Sequence, residues 1–113
     1  MKILSVVVPC YNSEAYMENC IHSLLTGGTE VEIIIVDDGS MDRTAVIADK
    51  YGADYPDVVK VIHQENGGHG EAVNTGLRHA TGLFFKVVDS DDWVSNSAFK
   101  EMMKTLGNLA GEQ

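Results

Sequence analysis

The residues most able to do chemistry in this sequence are aspartates grouped near its end. Asp89-Ser90-Asp91-Asp92 follows directly after the apolar run 83–88. Three carboxylates so close together repel one another unless a cation lies among them. With oxygen ligands on offer and no group of His or Cys beside them, the ions that suit the cluster are Mg²⁺ or Mn²⁺. A lone Asp-x-Asp would more often be a helix cap with solvated neighbours, but here the strand-end position favours a metal.

A second acidic turn, Asp37-Asp38-Gly39-Ser40, follows the apolar run 31–36. Gly39 permits a tight turn close to a ligand. The carboxylate of Asp38 could accept a hydrogen bond from the N–H of a base such as uracil. Ser40 or Asp42 could also cap the next helix, and at least one of them is expected to do so.

The glycine-rich segment 66–70 leads into a predicted helix and could admit phosphates at the helix N-terminus. It lacks the Lys of a P-loop and the spacing of a dinucleotide fingerprint, so alone it is a weak signal. A solvated loop is the favoured interpretation for His69. Asn74 could tie the helix to the acidic loop, whereas Arg78 is equally well a surface charge. Trp93 could pack against a sugar or fill the core.

Four apolar runs alternate with four helical patterns. The runs 3–8, 31–36, 58–62 and 83–88 are typical of strands buried on both faces. Apolar residues at helical spacing predict helices before Gly27-Gly28, at 43–51, at 70–80 and from about 97, with 107–113 as a fraying end. The order predicts an α/β fold, a Rossmann-like three-layer α/β/α parallel sheet. Its strands would deliver all four polar clusters to one edge, where ligands bind in such sheets.

Length and composition limit the alternatives. The chain has 113 residues, 44% of them hydrophobic, and a net charge of -9. One domain covering 1–113 is expected, and the acidity disfavours nucleic acid and anionic membranes as partners. No apolar run approaches the ~20 residues needed to cross a bilayer. Cys10 and Cys20 match no zinc or redox spacing and are expected to be reduced thiols in the core of a cytoplasmic protein.

Together these residues resemble family-2 inverting glycosyltransferases with the GT-A fold. The matching positions occur in the family's order along nearly the whole chain: 5–12, 35–40 with Asp42 and Thr44, 66–68 with Ala72, Asn74, Gly76, Ala80 and Gly82, and 88–92. The resemblance implies that Pro9, Tyr11 and Asp38 line the nucleotide-base site. It also implies that Asp91 is the principal metal ligand and that Asp89 lies near ribose or metal.

The expected site follows from the residues and the resemblance together. The candidate nucleotide-binding residues are Pro9, Tyr11, Asn12, Asp37, Asp38, Gly39, Asn66, Gly67, Asn74 and Ser90, and the candidate metal ligands are Asp91 and Asp89. The expected partners are a nucleotide-diphosphate sugar, with uridine diphosphate as default, and an unknown glycan or lipid-linked acceptor. In the complete protein the site would lie in the cytoplasm, at the inner face of a membrane if the protein has membrane segments. A homodimer stays open.

The resemblance also implies an acceptor-binding half that supplies a carboxylate general base. The sequence after Asp92 offers none in a structured loop, since Glu101 falls in a predicted helix and Glu112 in the fraying end. The chain is therefore expected to be the donor-binding part of an incomplete GT-A fold, with the base beyond Gln113, and to be inactive alone. A phosphatase using Asp-x-Asp and Mg²⁺ would need Thr or Val in place of Trp93 and a later lysine. A non-catalytic nucleotide-binding module remains the other alternative.

Overall fold

Residues 2–111 are described by a computed structural model, in which a parallel sheet is covered by helices on both faces. The strands are β1 (Leu4–Cys10), β2 (Val31–Asp38), β3 (Val59–Gln64) and β4 (Phe84–Val87). The helices are α1 (Met17–Leu25), α2 (Thr44–Asp54), α3 (His69–His79) and α4 (Asn96–Gly111), and a single 3-10 turn, Gly28–Glu30, precedes β2. The four strands lie in the order β3-β2-β1-β4, all parallel.

The two central strands form the core of the sheet. Every residue of β1 and of β2 is buried, as their continuous apolar character predicts for strands covered on both faces. The predicted α/β class, parallel pairing and three layers are confirmed. Since the chain moves from β1 to β2 and β3 on one side and then to β4 on the other, the strand order reverses between β1 and β4. Such a reversal opens a crevice at the carboxyl ends of the strands.

Alternate strand residues pack against different helices. Val6, Val8 and Ile33 lie in the larger core with α1, α2 and Phe99 of α4. Val7 and Ile34 face the other way and contact α3 through Ala72. Gly76 brings α3 very close to β1, because a Cβ there would lie 2.3 Å from Cγ1 of Val7.

Three expectations about the elements are wrong. The predicted burial on both faces fails for β3 and β4, which form the edges of the sheet, and Phe85 of β4 is 65% exposed. The second helix does not stop at Gly52, since α2 continues to Asp54. Helix α4 continues through Gly107 to Gly111 instead of fraying. Glu112 and Gln113 lie outside the described residues.

A buried carboxylate connects β1, β2, β3 and the loop before β4 at the end of the sheet opposite the acidic turns. Glu32 on β2 is only 2% exposed and lies 2.6 Å from Nζ of Lys60 on β3. It also accepts hydrogen bonds from the Ser5 hydroxyl of β1 and from Thr81, in the loop before β4. Burial acts to raise the pKa of Glu32, but these hydrogen bonds outweigh it and lower the pKa to about 2.

Both thiols are in the core, as predicted. Cys10 ends β1 and Cys20 lies on α1, and both are buried and free. Burial raises the pKa of each thiol to about 12, so neither is a thiolate at neutral pH. Among residues 2–111, no helix combines the length and the apolar character needed to span a membrane.

Candidate functional site

The carboxyl ends of the strands bring the predicted polar clusters to one edge of the sheet. Cys10 at the end of β1 pairs with Asp37 of β2, and Asp38 pairs with Gln64 at the end of β3. On the other side, Val7 of β1 pairs with Val87 at the end of β4. The loops that follow these strands are therefore neighbours, as parallel pairing requires.

The acidic cluster after β4 has the donor set of a hard cation. Oxygen atoms of Asp89, Asp91 and Asp92 lie within 4.8 Å of one another, and all three residues are exposed. Ser90 points inward instead, and its hydroxyl lies 2.8 Å from that of Ser13 in the loop after β1. This contact anchors the acidic turn to the loop after β1. Carboxylate oxygens at this spacing fit Mg²⁺ or Mn²⁺, both of which prefer oxygen ligands.

None of these aspartates caps the next helix through its side chain in the described residues. The backbone N–H of Asp92 bonds to the carbonyl of Asp89, which closes the acidic turn upon itself. Helix α4 starts four positions later, at Asn96. The alternative, in which one of these aspartates caps α4 and the others are solvated, is therefore not observed within residues 2–111.

A cavity of about 210 Å³ is connected to this cluster by His69, which lines the cavity and lies 2.8 Å from Asp89. Its lining comes from the loops after β1, β2 and β3 and from the start of α3: Pro9, Cys10, Tyr11, Asp38, Asn66, Gly68, His69 and Ala72. The cavity thus joins predicted residues that are far apart in sequence. A larger concavity, of about 350 Å³, lies along α1 beside Trp93, but no carboxylate from the described part of the chain lines it. By contrast, Asp38 lines the smaller cavity, and His69 there contacts Asp89. The chemistry therefore favours the smaller cavity.

Asp38 shapes the wall of the smaller cavity. It is 3% exposed, and its carboxylate accepts hydrogen bonds from Gln64 Nε2 (2.9 Å) and from the backbone N–H groups of Gly67 (2.8 Å) and Gly68 (3.0 Å). Burial acts to raise the pKa of Asp38, but these donors lower it on balance, so the group is ionised at neutral pH. An ionised carboxylate has about four acceptor positions, which leaves one for a ligand N–H.

Gly39 permits the close approach expected of it. Its φ is +72°, and a Cβ at this position would lie 2.7 Å from the backbone nitrogen of Asn66. The Asn66 side chain donates to the Asp38 carbonyl at 3.1 Å. Only glycine accommodates both the left-handed backbone and the neighbouring loop. The turn after β2 and the loop after β3 are thereby held together as one wall.

Asp37 faces away from the cavity, because adjacent strand residues point to opposite faces. One of its oxygens accepts the Ser40 N–H at 3.0 Å, and the other lies 2.8 Å from Nδ1 of His63. Asp37 is 4% exposed and does not line the cavity. Its predicted contact with a nucleotide stays a prediction, and its observed place is behind the turn that carries Asp38.

Asn12 joins the loops after β1 and β2. It adopts a φ of +48°, its backbone N–H donates to the Ser40 hydroxyl at 3.0 Å, and its side-chain oxygen accepts the Met41 N–H at 2.8 Å. Asp42 accepts the N–H of Thr44, the first residue of α2. The cap position is Arg43, however, which makes no side-chain capping bond, so neither Ser40 nor Asp42 occupies the cap position expected of at least one of them. These bonds make the two loops one rigid unit beside the exposed ring of Tyr11.

The structure differs from the sequence-based expectation at two residues of α3, Asn74 and His69. Asn74 is exposed and makes no side-chain hydrogen bond within residues 2–111, so the expected tie to the acidic loop is absent. Arg78 contacts Glu71 at 3.3 Å on the surface. His69, interpreted from sequence as a solvated loop residue, instead begins α3, lines the cavity and lies 2.8 Å from Asp89.

Sequence reasoning assigned no role to Gln64 and did not single out His63, the residues that support the two adjacent aspartates of β2. Both lie at the end of an apolar strand beside a recognised acidic turn. That position is a usable signal, because residues at paired strand ends are neighbours. Which aspartate each residue meets depends on the register of β2 with β3.

The fold and the site together define an α/β protein with an acidic cluster beside a cavity at the carboxyl ends of its parallel strands. The family model for glycosyl transferase family 2 matches residues 5–110. The chain belongs to this family, and its fold is of the GT-A type, as the resemblance implied.

Relatives of known sequence and structure agree with this assignment. EpsJ of Bacillus subtilis, described as an uncharacterized glycosyltransferase, is 44% identical over 101 residues, which are 88% of this chain and 29% of EpsJ. The crystal structure of S. aureus TarS 1-349 with UDP-GlcNAc has a TM-score of 0.81 and 37% identity, covering 96% of this chain and 32% of that one. The mannosyltransferase PcManGT of Pyrobaculum calidifontis, in complex with GDP-Man and Mn²⁺, has a TM-score of 0.76 and 25% identity over 88% of this chain and 31% of that one. The chain thus spans about a third of the length of these relatives.

Proposed function

We propose that residues 1–113 form the donor-binding part of a glycosyltransferase, with a nucleotide-diphosphate sugar as donor and a uridine diphosphate sugar as the default. The observation that carries this proposal is the meeting of a small cavity with a carboxylate cluster at one sheet edge. Asp38 lies in the cavity wall, and oxygen atoms of Asp89 and Asp91 lie within 4.8 Å of one another in the cluster. A base and a diphosphate need these two environments side by side.

The base would lie against Pro9 and Tyr11. Tyr11 lines the cavity and is 50% exposed, so its ring offers an apolar face to a base. The free acceptor position of Asp38 would receive a base N–H. Asn66 and Gly67 belong to the loop that Asp38 holds, and in this proposal they would contact the nucleotide from the wall opposite Tyr11.

Asp91 and Asp89 would hold Mg²⁺ or Mn²⁺ in this proposal, with Ser90 anchoring the turn between them. The ion supplies positive charge for the diphosphate leaving group when bound. The net charge of -9 makes such a cation necessary, because a diphosphate would otherwise be repelled by the surrounding carboxylates. PcManGT, a structural neighbour, is described in complex with GDP-Man and Mn²⁺.

The whole protein would transfer the sugar to a glycan or lipid-linked acceptor in cell-surface polysaccharide synthesis. Support comes from the relatives, which include a teichoic acid biosynthesis protein of Bacillus subtilis and the poly(ribitol-phosphate) β-N-acetylglucosaminyltransferase TarS. The acceptor site and the carboxylate base belong, in this proposal, to the part of the protein beyond Gln113. The two buried free thiols favour a reducing compartment and hence the cytoplasm.

Calorimetry with uridine diphosphate tests the donor site. We expect binding in the presence of Mn²⁺, a loss of at least tenfold in affinity with chelator, and a similar loss in Asp91→Asn. Asp57→Asn is the matched control, because Asp57 is an exposed residue in the loop that enters β3 at the opposite edge of the sheet. If Asp91→Asn binds uridine diphosphate as tightly as the parent chain in the presence of Mn²⁺, Asp91 is not a metal ligand.

A sample that is folded but binds nothing calls for the same titration on the complete protein. Binding that appears only there would show that the remaining part completes the site. Failure there as well would reject the donor proposal.

A further inference from the structure

His63, at the end of β3, lies between two carboxylates from two different elements. Its Nδ1 is 2.8 Å from Asp37 Oδ2 on β2, and its Nε2 is 2.7 Å from Asp49 Oδ1 on α2. A neutral imidazole has one N–H donor and one acceptor nitrogen, so it satisfies one of these carboxylates and repels the other. The imidazolium form donates to both, and the geometry therefore selects the charged ring.

Asp37, which His63 contacts, begins the turn 37–40 of the candidate donor site. The other oxygen of Asp37 accepts the Ser40 N–H at 3.0 Å. The Ser40 hydroxyl in turn accepts the Asn12 N–H at 3.0 Å, which reaches the loop after β1. In the sequence, Asp38 lies between Asp37 and Ser40, which are both held by this chain of bonds. A shift of Asp37 would therefore change the position of the carboxylate in the cavity wall.

We propose that His63 is a positioning residue of the donor site: its imidazolium holds Asp37, and through it the turn that presents Asp38 and Gly39, so donor affinity falls when His63 loses its proton. This inference rests on the proposed function. His63 does not line the cavity, so its effect reaches the ligand only through the turn.

The sign of the pH dependence follows from the groups around the ring. The charged groups that face it are Asp37 on β2 and Asp49 on α2, the two elements packed against this side of β3. The hydrogen bond with Asp37, and next that with Asp49, raises the pKa of His63 above its ordinary value of 6.5. The ring is therefore charged at and below pH 6.5, and donor affinity declines as the pH rises through the raised pKa.

The test is calorimetric titration with UDP-GlcNAc at saturating Mg²⁺ across pH 5.5 to 8.5. A nucleotide sugar is the probe because its diphosphate has no terminal phosphate group. The terminal phosphate of uridine diphosphate ionises at pH ~6, within the range of this titration. We expect the wild-type affinity to fall about tenfold across this range, the size of one charge-assisted hydrogen bond. His63→Gln should bind about tenfold more weakly than wild type at low pH and show no such decline.

Asp49→Asn separates a positioning role from a merely structural one. Asp49 is outside the cavity and its side chain is 62% exposed, so its loss should leave affinity near wild type at low pH. Because the substitution removes one of the two anionic partners, the midpoint of the decline should shift to lower pH. His79→Gln, on the exposed side of α3, is the matched control and should reproduce the wild-type profile.

The midpoint must belong to His63 and not to His69, which lines the cavity. The ring-proton NMR signal of His63, assigned by its absence in His63→Gln, should titrate with the midpoint of the binding curve. Wild-type binding that is independent of pH, or an Asp49→Asn profile that superimposes on wild type, would overturn the role of His63 while leaving the donor site intact. Absence of UDP-GlcNAc binding in folded wild type at every pH would remove the proposed function itself.

Discussion

The substitution Glu32→Gln tests whether the buried carboxylate of β2 holds the sheet together. Lys60 lies 2.6 Å from Glu32 Oε2, and both Ser5 and Thr81 donate hydrogen bonds to the same carboxylate. Glutamine has nearly the same shape, but one of its side-chain atoms becomes a donor. That NH₂ group would face donors, so a buried polar contact would be left unmade.

The magnitude follows from the pKa of Glu32. It is lowered from 4.5 to about 2, and at 1.36 kcal/mol per pKa unit this corresponds to about 3 kcal/mol of stability. Because the folded-state pKa is the lower one, this contribution is complete above pH 4.5 and is lost as the pH falls toward 2. A loss of about 3 kcal/mol is a large part of the ~5–15 kcal/mol that stabilises an ordinary domain.

Urea unfolding followed by circular dichroism would measure the difference between wild type and Glu32→Gln. We expect Glu32→Gln to lower the free energy of unfolding by about 3 kcal/mol at pH 7. This difference from wild type should narrow below pH 4.5, for as long as the wild type remains folded. Glu101→Gln on α4 is the control, since this glutamate is exposed, and its effect should stay within about 0.5 kcal/mol. A difference below about 1 kcal/mol at pH 7, or one that does not change with pH, would refute this reasoning.

Three further predictions concern glycine positions and thiols. Gly39→Ala should cost about 1–3 kcal/mol in urea unfolding and weaken uridine diphosphate binding in calorimetry, because its φ is +72°; unchanged binding would contradict the role of this turn. Gly76→Ala should cost about 1–3 kcal/mol because its Cβ would lie 2.3 Å from Val7 Cγ1, and adding Val7→Ala should recover part of that loss; purely additive effects would argue against the contact. Cys10 and Cys20, whose thiol pKa values are raised to about 12, should react with a thiol reagent only after unfolding, and rapid labelling of the folded chain would contradict their burial.

Local sequence patterns were sufficient for the architecture. The apolar runs that became β1 and β2 are continuous, and each is followed by polar or glycine residues that end a strand. Periodicity and turn chemistry act over a few residues, so a single sequence reports them directly. The parallel order then placed the acidic turns at one edge, which is why the cluster at Asp89 and Asp91 could be predicted.

The hydrogen-bond partners of that edge depended on tertiary structure. Asp38 was predicted to face a base, but its contacts with Gln64, Gly67 and Gly68 join residues 26 to 30 positions apart. These pairings follow from the register of β2 with β3, and a shift of one residue would turn each side chain to the other face.

The burial of edge strands and charges also lay beyond the sequence. The apolar composition of β4 resembles that of a central strand, yet its place beside β1 alone leaves Phe85 exposed. Glu32 resembles a surface residue, yet its neighbours Ser5, Lys60 and Thr81 supply donors that make its burial tolerable. The sequence by itself determined which segments are strands and helices and which loops carry carboxylates. Only the tertiary structure decided which of those carboxylates face a ligand and which hold the fold, because that depends on partners brought together from distant parts of the chain.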